Sequence, residues 1–307
     1  MMNRISIGAD IGGSHITCRL FDLDKNKFVD DRKVRMPVNC HSSKDEILDG
    51  WTAAILETAE GFNLKDLNGI GFAMPGPFDY PNGISLIKGV QKFDALFGVN
   101  IRFELLKRLN LPENFPIRFQ NDAVCFAIGE SFQSRAAGFD RLLAITLGTG
   151  FGTTFIQNHL PVSGYDGVPD DGFLYHIPFG DSIADDYFST RWFLEEFQKL
   201  TGKEISEVKT LAEMALSDEV VRGIFKTFGQ NLGTFLSPWI KSFNAGCLVI
   251  GGNISAAYPL FGDELVRVFK NNQLHVEVLI STLQEDAALI GSASLCDDEF
   301  YSKLKNN

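Results

Sequence analysis

Two stretches of alternating apolar residues, each turned back by a glycine-rich segment, stand about 140 residues apart. In the first, Ile5, Ile7 and Ala9 run into Asp10-Ile11-Gly12-Gly13-Ser14, after which Ile16, Cys18 and Leu20 resume the alternation. In the second, Leu142, Ala144 and Thr146 run into Gly148-Thr149-Gly150-Phe151-Gly152, followed by Thr154, Ile156 and a tight turn near Asn158. Period-two alternation marks strands with unlike faces, so each stretch predicts strand, glycine turn, strand. One such hairpin is common. A pair, each opening its own half of the chain, predicts an internal duplication into two similar α/β halves. The length of 307 residues agrees, because one hydrophobic core seldom fills that much chain.

The segments between follow a strand–helix alternation, which predicts a largely parallel or mixed sheet covered by helices. Helices are expected over Lys44–Ala59 and Ile101–Leu109, strands over Gly69–Ala73 and Pro116–Gln120, and an apolar helix from Ala123 to Phe132. Residues 84–99 read as irregular. In the second half, helices are expected over Ile183–Leu200, Glu207–Leu216 and Asp218–Phe243, the last interrupted near Pro238. Strands Cys247–Ile250 and Val276–Ile280 and helices from Ser255 and over Asp286–Leu295 come next, and the charged tail Asp297–Asn307 reads as frayed. An N-terminal domain over 1–122, a C-terminal domain over 123–285, and a final segment 286–307 packing back on the first domain complete the expectation.

Charge and cysteine usage narrow the function. With 28 Lys+Arg against 39 Asp+Glu the net charge is −11, which argues against a nucleic-acid backbone as partner. No apolar run reaches the ~20 residues of a membrane span. Met1-Met2-Asn3-Arg4 leads into a short apolar stretch interrupted by Asp10, so no signal peptide is visible. Cysteines 18, 40, 125, 247 and 296 are odd in number and far apart, with neither CxxC spacing nor a disulfide framework. The expected setting is soluble, reducing and cytoplasmic.

The chemistry gathers at three strand-to-glycine turns, Asp10–Ser14, Gly148–Gly152 and Gly251-Gly252-Asn253. Glycine lets backbone N–H groups come close to an anion and permits positive φ, while Ser14, His15 and Thr149 add side-chain donors. Asp10 beside a phosphate would repel it unless a divalent cation lay between, which suggests Mg²⁺ held through carboxylate and water. Asn121-Asp122 ends a strand and opens a helix; a carboxylate there can accept a proton from a bound hydroxyl, and either residue can simply cap the helix. No Walker motif is present, and Gly148-x-Gly150-x-Gly152 is not the dinucleotide fingerprint.

Asp10-Ile-Gly-Gly-Ser-His, Met74-Pro-Gly, Asn121-Asp122, Leu147-Gly-Thr-Gly-Phe-Gly and Val249-Ile-Gly-Gly-Asn, in this order and spacing over residues 4–295, resemble the ROK family of sugar kinases and repressors. The resemblance implies a duplicated, actin-like, hexokinase-type (ribonuclease H-like) α/β fold with ATP and a sugar in a cleft between two halves. It implies Asp122 as catalytic base, Asn121 and Gly76 at the sugar, and Asp10, Gly12, Gly13, Thr149 and Gly150 as phosphate cradle. Gly251, Gly252 and Asn253 then lie near the adenosine. The expected reaction is ATP-dependent, Mg²⁺-assisted phosphorylation of a hexose or hexose derivative, glucokinase-like and at a primary hydroxyl, by a homo-oligomer, most simply a dimer.

One stretch departs from the family. Where relatives carry E-x-G-H and a Cys-rich zinc loop, this chain has Phe173-Leu-Tyr-His176 and then Ile177–Ser182 without a cysteine. His176 keeps its place and Phe173 takes the acidic one. No structural zinc is expected, since one His cannot make a four-coordinate cage. Asp185 is expected to hold a sugar hydroxyl; Asp170 and Asp171 either replace the missing carboxylate or are solvated turn residues. These departures keep open a rival reading, a catalytically weak or inactive sugar-binding protein. A DNA-binding version is disfavoured, as nine residues before Asp10 leave no room for a helix-turn-helix. Phe188, Trp192, Phe193 and Phe197 fall at helical spacing and read as core or dimer contact.

Overall fold

Strands with one buried and one solvated face alternate; strands covered on both faces do not. The central strands here are buried at almost every residue. The computed structural model describes residues 4–89, 92–164 and 167–305, and the chain divides into two compact units, one ending at Gly129 and resuming at Glu285, the other spanning Glu130–Gln284.

In the first unit β1 (Ile5–Ile11) and β2 (His15–Asp22) form the expected hairpin, with Asp10 opposite Thr17 and Ile11 opposite Ile16. β3 (Lys27–Phe28) and β4 (Val34–Pro37) both pair with β2. Helix α1 (Lys44–Thr58) starts at a capping box of Ser43 and Glu46, which satisfies two terminal N–H groups, and buries Ile47, Leu48, Trp51 and Ile55. β5 (Gly69–Met74) lies parallel to β1. After the short ladder of β6 (Phe78–Asp79) with β7 (Ile84–Ser85) come α2 (Ile101–Arg108), β8 (Ile117–Asn121) parallel to β5, and α3 (Asp122–Gln133). The sheet order is β3-β2-β1-β5-β8.

The second unit repeats the plan. β9 (Arg141–Leu147), β10 (Phe151–Gln157) and β11 (Leu160–Val162) form the antiparallel part. The two-residue strands β12 (Pro178–Phe179) and β13 (Ser182–Ile183) lead into α4 (Ala184–Tyr187), α5 (Thr190–Thr201), α6 (Val208–Met214) and α7 (Glu219–Phe243). β14 (Cys247–Gly251), α8 (Tyr258–Asn271) and β15 (Glu277–Ile280) close it, giving the order β11-β10-β9-β14-β15. With β4 set aside, which pairs with β2 off this path, both sheets run third–second–first–fourth–fifth, with the glycine turn joining first to second.

Three local expectations are corrected. The helix expected over Ile183–Leu200 breaks at Phe188–Ser189, because the Thr190 N–H and hydroxyl both donate to the Gly148 carbonyl, at 2.8 and 2.9 Å. α7 is not interrupted at Pro238. The proline gives up one backbone bond, while Gly229 and Gly233 let α8 approach so closely that a Cβ at 229 would be driven into the Phe261 carbonyl. The buried apolar face of α7 outweighs the local defect. Phe188, Trp192, Phe193 and Phe197 belong to this unit's core.

The tail is helical, not frayed. α9 (Glu285–Ser294) and α10 (Asp298–Lys305) belong to the first unit. Asp297 accepts the Phe300 N–H at 2.8 Å and pairs with Arg4 at 2.7 Å; the Arg118 guanidinium sits 4.1 Å from the centre of the Tyr301 ring. α9 lies in a groove floored by Gly8 and Gly71, where any Cβ would strike the Leu289 and Ser292 carbonyls, and crosses α3 at Gly129 and Gly291.

Candidate active site

β1, β5 and β8 run parallel and end at one edge, Asp10 beside Ala73 and Met74 beside Asn121 in register. Loops at the carboxyl ends of parallel strands are where α/β sheets take ligands. The turn after β1 is held by Gly12 N–H to the His15 carbonyl and Val38 N–H to the Ser14 carbonyl, both 2.9 Å. Neither Gly12 nor Gly13 has positive φ. A methyl at Gly13 would meet nothing within 4 Å, and one at Gly12 would meet only the His15 side chain and carbonyl, at 3.0–3.3 Å. Neither conformation nor packing therefore requires Gly13, whereas the Gly12 N–H is already bonded and a Cβ there would crowd His15. Gly13→Ala is expected to leave stability within about 0.5 kcal/mol in a thermal melt, yet to weaken nucleotide binding about tenfold or more in a calorimetric titration.

Asn121 takes the capping role that sequence left open to either residue of the pair. The Asn121 side-chain oxygen accepts the Ala123 and Val124 N–H groups at 3.0 and 3.3 Å, so Asn121 is the cap of α3. Its Nδ2 donates to the Tyr80 hydroxyl at 3.3 Å, and that hydroxyl donates to the Met74 carbonyl at 3.1 Å. A Cβ at Gly76 would lie 3.3 Å from the same hydroxyl. Tyr80 thus fastens the Pro-Gly turn to Asn121, a role that no sequence pattern announced. Asp122 is left in the first turn of α3, one carboxylate oxygen accepting the Ala123 N–H at 2.9 Å. Burial raises its pKa, and the Ala123 N–H and the nearby Lys92 ammonium pull it partly back.

Asp10 is pushed up to about 8, first by burial, then by the Asp122 and Glu285 charges, with Arg35 opposing. It retains some accessible surface, and its carboxylate has no hydrogen bond among the described residues. A carboxylate in that state asks for a cation. No group of three or more His, Cys, Asp or Glu among the described residues forms a metal cage, and Mg²⁺ commonly takes one carboxylate with waters and phosphate oxygens, so Asp10 has the chemistry of a single ligand and not of a cage. Because Asp10 holds its proton more tightly folded than unfolded, folding stability falls as pH rises from about 4 to about 8. Asp10→Asn, which cannot ionise, is expected to flatten that slope and to exceed the parent at pH 8 by about 1–3 kcal/mol in urea unfolding, less than the full shift because the group keeps contact with solvent.

In the second unit, β9 and β14 are parallel, with Gly251 beside Thr146 in register. The Gly148 N–H donates to the Gly150 carbonyl at 3.1 Å, Thr149 is exposed, and a methyl at Gly148 would meet nothing within 4 Å. Gly252 differs: its φ is +79° and a Cβ would collide with the Leu147 backbone, so packing alone requires it. That collision also shows that Gly148–Gly150 and Gly251-Gly252-Asn253 adjoin at one edge. Asp185 is engaged on both oxygens. One of its oxygens accepts the Phe151 N–H at 2.7 Å and the other pairs with Arg191 at 2.6 Å, which counts against a sugar-ligand role and makes it a brace of the glycine turn. His176 is exposed, 3.6 Å from Asp171, whose other oxygen accepts the Phe173 N–H at 3.1 Å. His176 stays close to Asp185 through the Tyr175 carbonyl, which accepts the Asp185 N–H at 2.9 Å. Asp171 is thus the turn residue of the two alternatives.

The model of the ROK family matches residues 6–299. A glucokinase from Thermotoga maritima is 27% identical over 319 residues, covering 94% of this chain and 96% of its own. An N-acetyl-D-glucosamine kinase from Pectobacterium carotovorum is 25% identical over 266 residues, covering 81% and 83%. The crystal structure of a ROK family glucokinase from Streptomyces griseus, in complex with glucose and AMPPNP, matches with a TM-score of 0.74 at 23% identity, covering 95% of this chain and 98% of that one. The duplicated hexokinase-type fold expected from sequence is the fold observed.

Proposed function

We propose, from the premise that the chain belongs to the ROK family, that it is an ATP-dependent kinase of a hexose or hexose derivative, acting at a primary hydroxyl. The observation that carries this reading is the pair of turns at Gly12–Ser14 and Gly148–Gly150. Their glycines lack positive φ, Gly13 and Gly148 face open space, and both turns stand at the carboxyl ends of strands in corresponding places of the two units.

In the reaction, the sugar oxygen bonds to the γ-phosphorus while its proton passes to the Asp122 carboxylate. The bond from phosphorus to the β–γ bridging oxygen breaks, and ADP leaves with that electron pair. Burial has moved Asp122 towards the working pH, where a carboxylate is a more effective base. Asn121, fixed by the cap and by Tyr80, orients the sugar beside it. Asp10 would hold Mg²⁺ through water, and that ion supplies neutralisation of phosphate charge. Gly251-Gly252-Asn253 would border the adenosine. Little covalent work falls to the protein, so positioning and electrostatics supply most of the acceleration.

A second reading has one observation in its favour. Phe173 stands half-buried, its ring 6.2 Å from that of Tyr175, where the family carries an acidic residue. ADP release measured across hexoses and amino sugars, paired with calorimetric sugar binding, separates the two. Sugar-dependent ADP supports the kinase, and sugar binding without ADP supports a sensor.

A further inference from the structure

Asp10 on β1, Thr17 on β2 and Arg35 on β4 are direct cross-strand partners in one row. Residues in such a row share a face of the sheet. The row lies one pair in from the glycine turn, and Val38 N–H ties the strand beyond Arg35 to Ser14 within that turn. Above it sits Glu285, the first residue of α9, whose carboxylate accepts the Thr17 hydroxyl at 3.0 Å, meets His15 Nε2 at 3.3 Å and lies 3.6 and 3.8 Å from Arg35 and Lys33. His15 Nδ1 is in turn 3.1 Å from the Ser14 hydroxyl and 3.4 Å from Arg35 Nη2. Two donors at Nδ1 and a carboxylate at Nε2 fit the imidazole tautomer protonated at Nε2.

Arg35 is the loosest member of this cluster. Its side chain is 56% exposed, against 34% for Lys33 and 25% for Glu285. One hydrogen bond and one distant ion pair leave most of its five N–H donors free. Glu285 already has Thr17, His15 and Lys33, so neutralising it does not require an arginine. The two terminal nitrogens of Arg35 face His15 and Glu285 only at 3.4 and 3.6 Å, and a guanidinium held so loosely at the rim of a glycine turn can turn to make bidentate contact with phosphate.

We propose that Arg35 is a catalytic residue that contacts the terminal phosphoryl oxygens of the nucleotide at the Gly12–Ser14 turn, with His15 and Glu285 as the residues that position it. This rests on the kinase reading for the identity of the donor. The guanidinium also stands where charge builds as the γ-phosphoryl group transfers, so it would act on turnover as well as on binding.

The test is calorimetric titration of the full chain, of Arg35→Gln and of Arg35→Lys with Mg-ATP, Mg-ADP and AMP, alongside ADP-release assays. Arg35→Gln is expected to weaken Mg-ATP about tenfold or more, Mg-ADP less and AMP not at all, and Arg35→Lys, which keeps charge without the fork, falls between. Lys33→Gln, which removes a neighbouring charge of the same cluster, should leave the ATP-to-ADP preference intact. If the parent turns over sugar but Arg35→Gln keeps its ATP-to-ADP preference, the Arg35 assignment is wrong and the kinase reading stands. A parent that binds no nucleotide and releases no ADP overturns both. Melting temperatures within a few degrees of the parent for Arg35→Lys keep the outcome readable should the glutamine variant fold poorly.

Discussion

Asp122→Asn is expected to lower sugar phosphorylation about 10²–10⁴-fold, the usual range for loss of a general base, while sugar affinity changes little. The substitution keeps size and keeps an oxygen for the Ala123 N–H, which the carboxylate accepts at 2.9 Å. The cap of α3 is also spared, because Asn121 supplies it. What disappears is only the group able to take a proton. The same variant relieves Asp10 of a neighbouring negative charge, so the folded chain should melt no lower than the parent. Undiminished turnover, measured as ADP release at saturating sugar, would move the base elsewhere.

Gly71→Ala is expected to cost the folded state about 3 kcal/mol or more, the upper range for forcing atoms into a packed interior. The added methyl would be driven into the Ser292 carbonyl and its carbon, which are backbone and cannot swing aside. To make room α9 must lift from β1 and β5, and Glu285 at its start would leave Thr17 and His15. Urea unfolding should therefore show a lower midpoint, and residual folded protein should bind nucleotide poorly. Gly223→Ala in α7 gives the opposite sign, because nothing lies within 4 Å of its Cβ and alanine favours a helix by about 0.5–1 kcal/mol. A stable Gly71→Ala would mean that α9 is seated less tightly than its contacts indicate.

Much of the fold was readable because its signal is local. Apolar runs at Ile5–Ala9 and Leu142–Ile145 mark strands buried on both faces, and glycine marks where each strand turns. The failures have tertiary causes. The helix breaks between Tyr187 and Thr190 because Thr190 reaches the Gly148 carbonyl, and Pro238 is tolerated because α8 packs against Gly229 and Gly233. The charged tail is ordered by Arg4 and Arg118, both more than 150 residues from it in sequence. At the site, motif residues could be placed but their partners could not. Asp185 looked free and is committed to Phe151 and Arg191. Tyr80 and Arg35 carry no motif, and only strand register and hydrogen bonds bring them to the site.

The hairpin of β12 and β13 stands where the sequence resemblance leads one to expect a cysteine-rich loop, and rings hold it together. Phe179 packs on Tyr187, Phe188 and Phe235, and the Tyr187 hydroxyl donates to Asp181 at 2.5 Å. Gly180 is required there, since its φ is +61° and a Cβ would strike the Tyr187 hydroxyl. Cohesion of this kind has a thermal character that metal–thiolate bonds lack: apolar attraction weakens on cooling. Cooling is therefore expected to loosen this segment before the strand ladders of either unit.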